Sequence, residues 1–452
     1  MPSTPVKSLL FALSTVLLSS CASYQAKPLD STAMQQSLDA PAPALLQKMA
    51  ATLRHPRLPP LTLDFSKPLT DRELAIIAVI ASPDLRAQRA RAGVAKAQVF
   101  SAGLLPDPQL SAGFDRPING GPDLVNAYNL GLSWDIFGLI TRHAEQRIAR
   151  TQAEQIRYDI AWQEWLIANQ ARLLGVRLSY LERQARVAGQ AEQVADSLYQ
   201  AAKSNLERGD IKLDEFALRE SALIDARNRL LALRREIEKN RQDLNRSLGL
   251  PPKQVLKLAI RPAAEPAPAD PAQLFASARH ERLDLLALQA GYASQEATLY
   301  RAVLGQFPRF NLGLSQASDT SGIRTLGASV TLDLPIFNRN RGNIALARAT
   351  REQLFAEYSA RLFQTRADIS QITADLTRLE RERTALASKL PSLEHAEDVL
   401  REASQRRDVS LLSYETIRAS LLSYQLQLLS LEQNIAEQRV ALDIAVGAPL
   451  QP

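Results

Sequence analysis

The stretch Asn126-Ala127-Tyr128-Asn129-Leu130-Gly131-Leu132-Ser133-Trp134-Asp135-Ile136-Phe137 reads as a strand with one oily and one wet face. Tyr128, Leu130, Leu132, Trp134 and Ile136 take alternate positions, with Asn129, Gly131, Ser133 and Asp135 between them. Successive side chains of a strand project to opposite faces. An echo follows at 325–337, where Leu326, Ala328, Val330, Leu332 and Leu334 alternate with Thr325, Gly327, Ser329, Thr331 and Asp333. Each stretch is about ten residues long, which is what a tilted strand needs to cross a bilayer core. The same pattern also suits a half-buried strand of a soluble sheet, so the rest of the chain has to decide.

Two more segments of this kind lie just ahead, giving strands at about 109–116 and 126–137, and again at about 310–317 and 325–337. Outside them the chain is built for helices. Of 452 residues only 6% are aromatic and 18 are glycine, and no proline falls between Pro122 and Pro251. Long helices are expected at about 140–207 and 212–248, and again at about 343–406 and 410–446, with Pro391 kinking the third. Shorter helices precede each strand pair. Thr70 with Glu73 forms a capping box for the first of them. The next follows Ser82-Pro83-Asp84-Leu85, and another spans about 272–304.

The chain repeats itself. Phe216, Leu223, Leu230, Ile237 and Leu244 form a seven-residue series, and adding 198 gives Tyr414, Leu421, Leu428, Ile435 and Leu442. The same offset carries Arg208 to Arg406, Asp210 to Asp408, Gly249 to Gly447 and Pro251 to Pro449. An offset of 200 carries Leu132, Ile136 and Phe137 to Leu332, Ile336 and Phe337. Sustained heptads mean helices coiled on neighbours. The organisation is therefore a first repeat at 69–251, a Pro/Ala linker at 252–271 and a second repeat at 272–450. Each repeat is helix, strand, strand, long helix, long helix.

The first residues read as a targeting signal. Lys7 and the amino terminus are basic, and residues 9–18 are apolar but too short to span a membrane. Leu18-Ser19-Ser20-Cys21 resembles the bacterial lipobox, and Cys21 is the only cysteine, so it has no pairing role. Residues 1–20 are then a lipoprotein signal peptide, Cys21 is the lipidation site, and 21–68 is an extended N-terminal segment. Ala22 after the cysteine is the usual sorting pattern for the outer membrane. An incidental cysteine after an ordinary signal peptide is the plainer alternative.

If the four strands cross a membrane, their backbone amides cannot be left unpaired in hydrocarbon, so the sheet must close. Four strands cannot enclose a lumen. Strands must be pooled among copies, and three copies would close a twelve-stranded ring with twelve long helices continuing from it.

Over about 69–450 the chain resembles the TolC family of outer-membrane efflux ducts. The residues carrying the resemblance are Ser82-Pro83-Asp84-Leu85, Trp134-Asp135-Ile136-Phe137-Gly138, Arg208-Gly209-Asp210-Ile211, Leu248-Gly249 and Leu334-Pro335-Ile336-Phe337. It implies a mainly α chain with a small β part: a homotrimer with a twelve-stranded β-barrel on an α-helical periplasmic tunnel. It also implies a periplasmic adaptor and an inner-membrane pump as partners, often of the resistance–nodulation–division type. On the barrel, Tyr128, Leu130, Leu132, Trp134, Leu326, Val330 and Leu332 would face outer-membrane lipid. At the tip of the tunnel the matching neighbourhoods offer Arg208, Asp210 and Glu215, and Arg406, Arg407, Asp408 and Glu415, as gate candidates. Their plainer reading is solvated turn charges. Arg407 replaces the glycine that the first repeat has at Gly209. Asn338-Arg339-Asn340-Arg341-Gly342 looks like the variant seen in heavy-metal efflux members, or is a polar turn at the junction.

Enzyme chemistry has no foothold. His55, His143, His280 and His395 are scattered without metal-ligand spacing, and no phosphate loop or nucleophile elbow occurs. No cofactor or metal site is expected. The net charge of +6 comes from interspersed signs, which argues against a nucleic-acid partner. Two alternatives to an efflux duct stay open: a lipid-tethered periplasmic coiled-coil scaffold or adaptor, and an exit duct for protein secretion.

Overall fold

The computed structural model describes residues 24–32, 41–260, 270–406 and 408–449. The expected signal peptide at 1–20, Cys21, Arg407 and residues 261–269 of the Pro/Ala linker lie outside the described residues. The chain from Pro41 onward is one unit, and residues 24–30 ahead of it carry no helix or strand.

After a short helix α1 (Pro43–Ala51), the order is α2 (Asp71–Ala81), α3 (Pro83–Gly103), β1 (Gln109–Asp115), β2 (Ala127–Asp135), α4 (Ile136–Glu207) and α5 (Leu213–Ser247). The series then recurs as α6 (Pro271–Glu281), α7 (Leu283–Leu304), β3 (Arg309–Ser318), β4 (Arg324–Asp333), α8 (Arg341–Ala387), α9 (Leu390–Gln405) and α10 (Leu411–Val446). At 1.5 Å per residue the 72 residues of α4 make a helix about 108 Å long.

Local chemistry sets the boundaries. The Thr70 hydroxyl accepts the Glu73 N–H at 3.3 Å, and the Glu73 carboxylate accepts the Thr70 N–H at 2.8 Å, which starts α2. The Ser82 hydroxyl accepts the Leu85 N–H at 3.3 Å, with Pro83 in the first turn of α3. Position 282 divides the expected 272–304 helix in the same way, with Arg282 where the first repeat has Ser82. The second strand ends at Asp135, not Phe137. The Asp135 carboxylate accepts the Gly138 N–H at 2.9 Å and opens α4 four residues ahead of the expected start. In the second repeat the strand ends at Asp333, because Pro335 has no N–H for a ladder. The expected 343–406 helix is two helices, broken at Ser388 and Lys389 just ahead of Pro391, whose ring excludes an uninterrupted helix.

α4 packs against α2, α3, α5, α7 and α10, so it is the spine on which the second repeat is laid. The largest core cluster joins Leu74 and Ile77 of α2, Leu174 and Leu178 of α4, and Leu244 and Leu248 at the end of α5. The heptad series does what its spacing requires. Leu223, Leu230, Leu244, Leu421, Ile435 and Leu442 are buried, and Phe216, Ile237, Tyr414 and Leu428 are half-buried. Gly249 and Gly447 close equivalent helices with φ of +62° and +81°. Each also permits a close approach. A Cβ at Gly249 would lie 2.8 Å from the Ala81 carbonyl oxygen, and one at Gly447 would lie 2.8 Å from the Arg282 Cα.

The four strands form one antiparallel sheet in the order β1-β2-β3-β4. Both hairpins have equivalent registers: Leu110 opposes Leu132 in the first, and Phe310 opposes Leu332 in the second. The two hairpins join through β2 and β3, where Leu132 opposes Leu314 and Trp134 opposes Leu312.

Candidate functional site: an oily sheet on a helical stem

Residues directly opposed in a sheet share a face. The registers therefore place Leu110, Ala112 and Phe114 with Tyr128, Leu130, Leu132 and Trp134. They extend that face across Phe310, Leu312 and Leu314 to Leu326, Ala328, Val330 and Leu332. The reverse face carries Ser111, Asn129, Gly131, Ser133, Asn311, Ser315, Thr325, Ser329 and Thr331. The seven residues singled out from the sequence thus come together on one side of one sheet. None is buried in the single chain: Tyr128 is the least exposed, at 38%, and Leu326 the most, at 84%. An exposed apolar sheet of this extent is what a soluble monomer avoids. β1 and β4 form the two sides of the sheet, each with a strand partner on one side only.

The join between sheet and stem is anchored on both repeats. The Trp134 indole N–H donates to the Pro106 carbonyl at 2.7 Å, and the Arg309 guanidinium lies 5.3 Å from the centre of the Phe137 ring. In the second repeat Arg339 and Asn340 adopt left-handed φ of 49° and 55°. The Asn340 amide donates to the Ala302 carbonyl at 2.7 Å, and its oxygen accepts from Asn343 at 2.7 Å. The Asn338–Gly342 segment is thus a bonded corner between strand and helix.

At the other end of the stem are the two hairpin turns. Arg208 Nε donates to Asp210 at 2.9 Å, and the Asp210 N–H donates to the Asn205 carbonyl at 2.8 Å across Gly209, whose φ is +78°. The second turn closes with the same bond: the Asp408 N–H donates to the Ala403 carbonyl at 2.9 Å. Arg406 pairs with Glu402 at 3.2 Å. Arg208, Asp210, Glu215, Arg406 and Asp408 are exposed. Glu415 is not. It is 6% exposed, one carboxylate oxygen lacks a hydrogen-bond partner, and its nearest cation is Arg418 at 3.8 Å. Burial pushes its carboxyl above the usual range, Arg418 opposes this, and Glu397 adds to it. The two glutamates grouped by the sequence are therefore unlike in setting. Under the 198-residue offset Glu415 matches Ala217, and Glu215 matches Ser413.

Residues 77–250 match the family model described as outer membrane efflux protein. No curated protein matches the chain. Among solved structures, CusC matches with a TM-score of 0.65 at 17% identity, over 88% of this chain and 99% of its own. The outer-membrane channel OprN matches with a TM-score of 0.70 at 17% identity, over 95% of this chain and 99% of its own. The CmeC outer membrane channel of Campylobacter jejuni matches with a TM-score of 0.68 at 15% identity, over 84% of this chain and 87% of its own. Residues 77–250 therefore carry an outer membrane efflux protein domain, and the chain shares its fold with these solved channels.

Charged pairs also tie the helices together, within and between the repeats, and no local sequence pattern points to them. Arg172 of α4 donates to Asp443 of α10 at 2.8 Å and to Asp71 of α2 at 3.2 Å. Arg177 makes a two-pronged pair with Glu437, at 2.9 and 2.8 Å. Arg282 is buried against Asp284 at 2.8 Å, donates to the Ala445 carbonyl at 3.0 Å and lies 4.9 Å from the Trp162 ring centre. Arg361 reaches the same Asp284 at 3.1 Å. His55 is also buried. Its Nδ1 accepts the Arg57 and Leu58 N–H groups, so Nε2–H donates to the Ala161 carbonyl at 2.9 Å. Burial lowers its affinity for a proton, which fits a neutral structural histidine. Among the described residues no cluster of His, Asp or Glu could hold a metal ion, and no helix is long and apolar enough to cross a membrane.

Proposed function

We propose that this chain is a member of the TolC family and the outer-membrane exit duct of a tripartite efflux pump. One observation carries the reading: a sheet whose exposed face is oily from β1 to β4 and whose two edge strands each have a free side. Hydrocarbon accepts the face but not the edges, so the edges must be satisfied by other copies. Three copies give a twelve-stranded barrel, and the long helices continue it as a tunnel into the periplasm. Tyr128, Leu130, Leu132, Trp134, Leu326, Val330 and Leu332 then face lipid. Cys21 carries the lipid anchor. A periplasmic adaptor and an inner-membrane transporter of the resistance–nodulation–division type supply substrate and energy, and the duct conducts passively.

Arg208, Asp210, Arg406, Arg407 and Asp408 belong to the gate in this reading, as charges of the turns; Glu215 and Glu415 complete the set with different settings. The bonded corner at 338–342 gives metal export no extra support, so the cargo is small molecules or metal ions as the partner pump dictates.

Outer-membrane fractions should yield a heat-modifiable trimer that forms discrete channels in planar bilayers. A salt-extractable monomer would instead favour the tethered scaffold. Asp210→Asn with Asp408→Asn should raise channel conductance, and an unchanged conductance removes both residues from the gate. Deleting the protein and testing a panel of drugs, dyes and metals identifies the cargo; a secretion defect with unchanged sensitivities would replace efflux with protein export.

A further inference from the structure

Residues 52–70 join α1 to α2 without a helix, and their one sheet-like contact is at Leu69, which exchanges backbone hydrogen bonds of 2.8 Å with Lys257 and Ala259. Side chains hold the rest of this strap, and two of them reach across the repeats. Leu58 is buried in a core cluster with Val79 of α2, Leu85 of α3, Trp165 of α4 and Leu283 of α7. The Arg57 guanidinium pairs with the Glu281 carboxylate at the end of α6 and donates to the Glu281 carbonyl at 2.8 Å. Since α6 and α7 belong to the second repeat, the strap fastens one repeat to the other.

His55 holds both of these residues by their backbone. Its imidazole is fully buried. Nδ1 accepts the Arg57 N–H at 3.0 Å and the Leu58 N–H at 3.1 Å, and Nε2–H donates to the Ala161 carbonyl at 2.9 Å. Only the neutral ring can do this. A proton would have to enter at Nδ1, where it would face two donors, so both bonds would be lost. The surrounding charges do not offset that loss. Glu164 of α4 lies 3.7 Å from Nε2, on the side of the ring that already carries its hydrogen, and is engaged by Arg89 of α3 at 2.6 Å. Arg57 and Arg89 both oppose a further positive charge, and Glu281 of α6 is taken up by Arg57. We propose that His55 is an acid-released clasp: neutral, it fastens the strap to both repeats, and protonated, it lets the strap go. Burial makes the folded ring bind a proton less readily than an unfolded one. Its stabilising contribution is therefore complete above the unfolded value of about 6.5 and is lost as pH falls below it. At pH 5 the opened strap gains at most about thirtyfold in population, the limit set by the proton affinity of a free imidazole.

Every contact of the clasp lies within one chain, so it is independent of the duct proposed above. Hydrogen exchange of the full-length protein in detergent, corrected for the intrinsic pH dependence, tests it, with the Arg57 and Leu58 amides as reporters. Peptides covering residues 53–63 should lose about ten- to thirtyfold in protection between pH 7.5 and pH 5. His55→Asn supplies a side-chain oxygen that accepts from N–H groups two and three residues on, and it does not titrate in this range. That variant should keep the strap protected at pH 7.5 and remove most of the loss at pH 5. His55→Ala should leave the strap about as exposed at pH 7.5 as the native strap is at pH 5. Equal protection of the native strap at both pH values overturns the proposal, and so does a pH dependence that survives in either variant.

Discussion

Near the far end of the first hairpin, Tyr199 of α4 and Phe216 of α5 stack with ring centres 5.5 Å apart. At the equivalent positions of the second hairpin stand Glu397 and Tyr414, with buried Glu415 where the first repeat has Ala217. Burial and a hydrogen bond to Glu397 push the Tyr414 phenol up. One hairpin thus carries an aromatic contact, and the other a buried carboxylate with one oxygen lacking a hydrogen bond. At the opposite end of the same helices the repeats agree: Gly249 and Gly447 end α5 and α10 against the same turn of their own repeat. The duplication has kept the end that packs against the core and changed the end that does not. An unsatisfied buried acceptor costs free energy, whereas an aromatic pair contributes it. The second hairpin should therefore open locally more readily than the first.

The most damaging change should come where the repeats agree. Gly249→Ala and Gly447→Ala both force a side chain into left-handed backbone and into contact with neighbouring backbone, so each should cost about 2–3 kcal/mol. Matched losses of thermal stability check this, and a tolerant member of the pair would break the equivalence of the two bases. Next, Phe216→Ala should cost about 2 kcal/mol by removing a half-buried ring and its stacking partner. Faster hydrogen exchange should appear in residues 195–220 and not in the second hairpin. A smaller effect of opposite sign is expected of Glu415→Gln, which should stabilise the second hairpin at neutral pH by about 1 kcal/mol by removing an incompletely paired buried charge.

The same glutamate sets a pH dependence. Its folded-state carboxyl binds a proton more tightly than in the unfolded chain, so folding favours the protonated form. The stabilising contribution is complete below about pH 4.3 and is lost as pH rises through the raised folded value. After correction for the intrinsic pH dependence, exchange in residues 390–420 should therefore be slower at pH 5 than at pH 7, and Glu415→Gln should abolish the difference. Exposed Asp210 anchors the small end of the scale. Asp210→Asn should change stability by less than about 0.5 kcal/mol, since exposed ion pairs contribute little. A larger loss of stability would mean that the first turn, unlike the second hairpin, is held by its charges.

Much of the fold was legible because its signals are local or periodic. Alternation at 126–137 and 325–337 needed only the two-residue repeat of a strand, and the heptads from Phe216 and Tyr414 needed only the helical period. Boundaries were read less well where one side chain decides them. Asp135 turns a strand into a helix two residues early by capping, and Pro335 ends another by lacking an amide hydrogen. The gate candidates show the same division. The charges flanking the turns are visible in the sequence, but nothing local separates exposed Glu215 from buried Glu415.

Consecutive residues are enough to establish a duplicated set of oily-faced strands and long coiled helices, because each strand and helix writes its period into its own stretch of chain. The joining of the strands as β1-β2-β3-β4 through the Trp134–Leu312 register, and the tie of Arg172 to Asp71 and Asp443, arise from the packing in three dimensions. Those partners lie 101 and 271 residues from Arg172 along the chain. Contacts at that separation depend on how whole helices come to lie side by side, and no pattern of neighbouring residues encodes it.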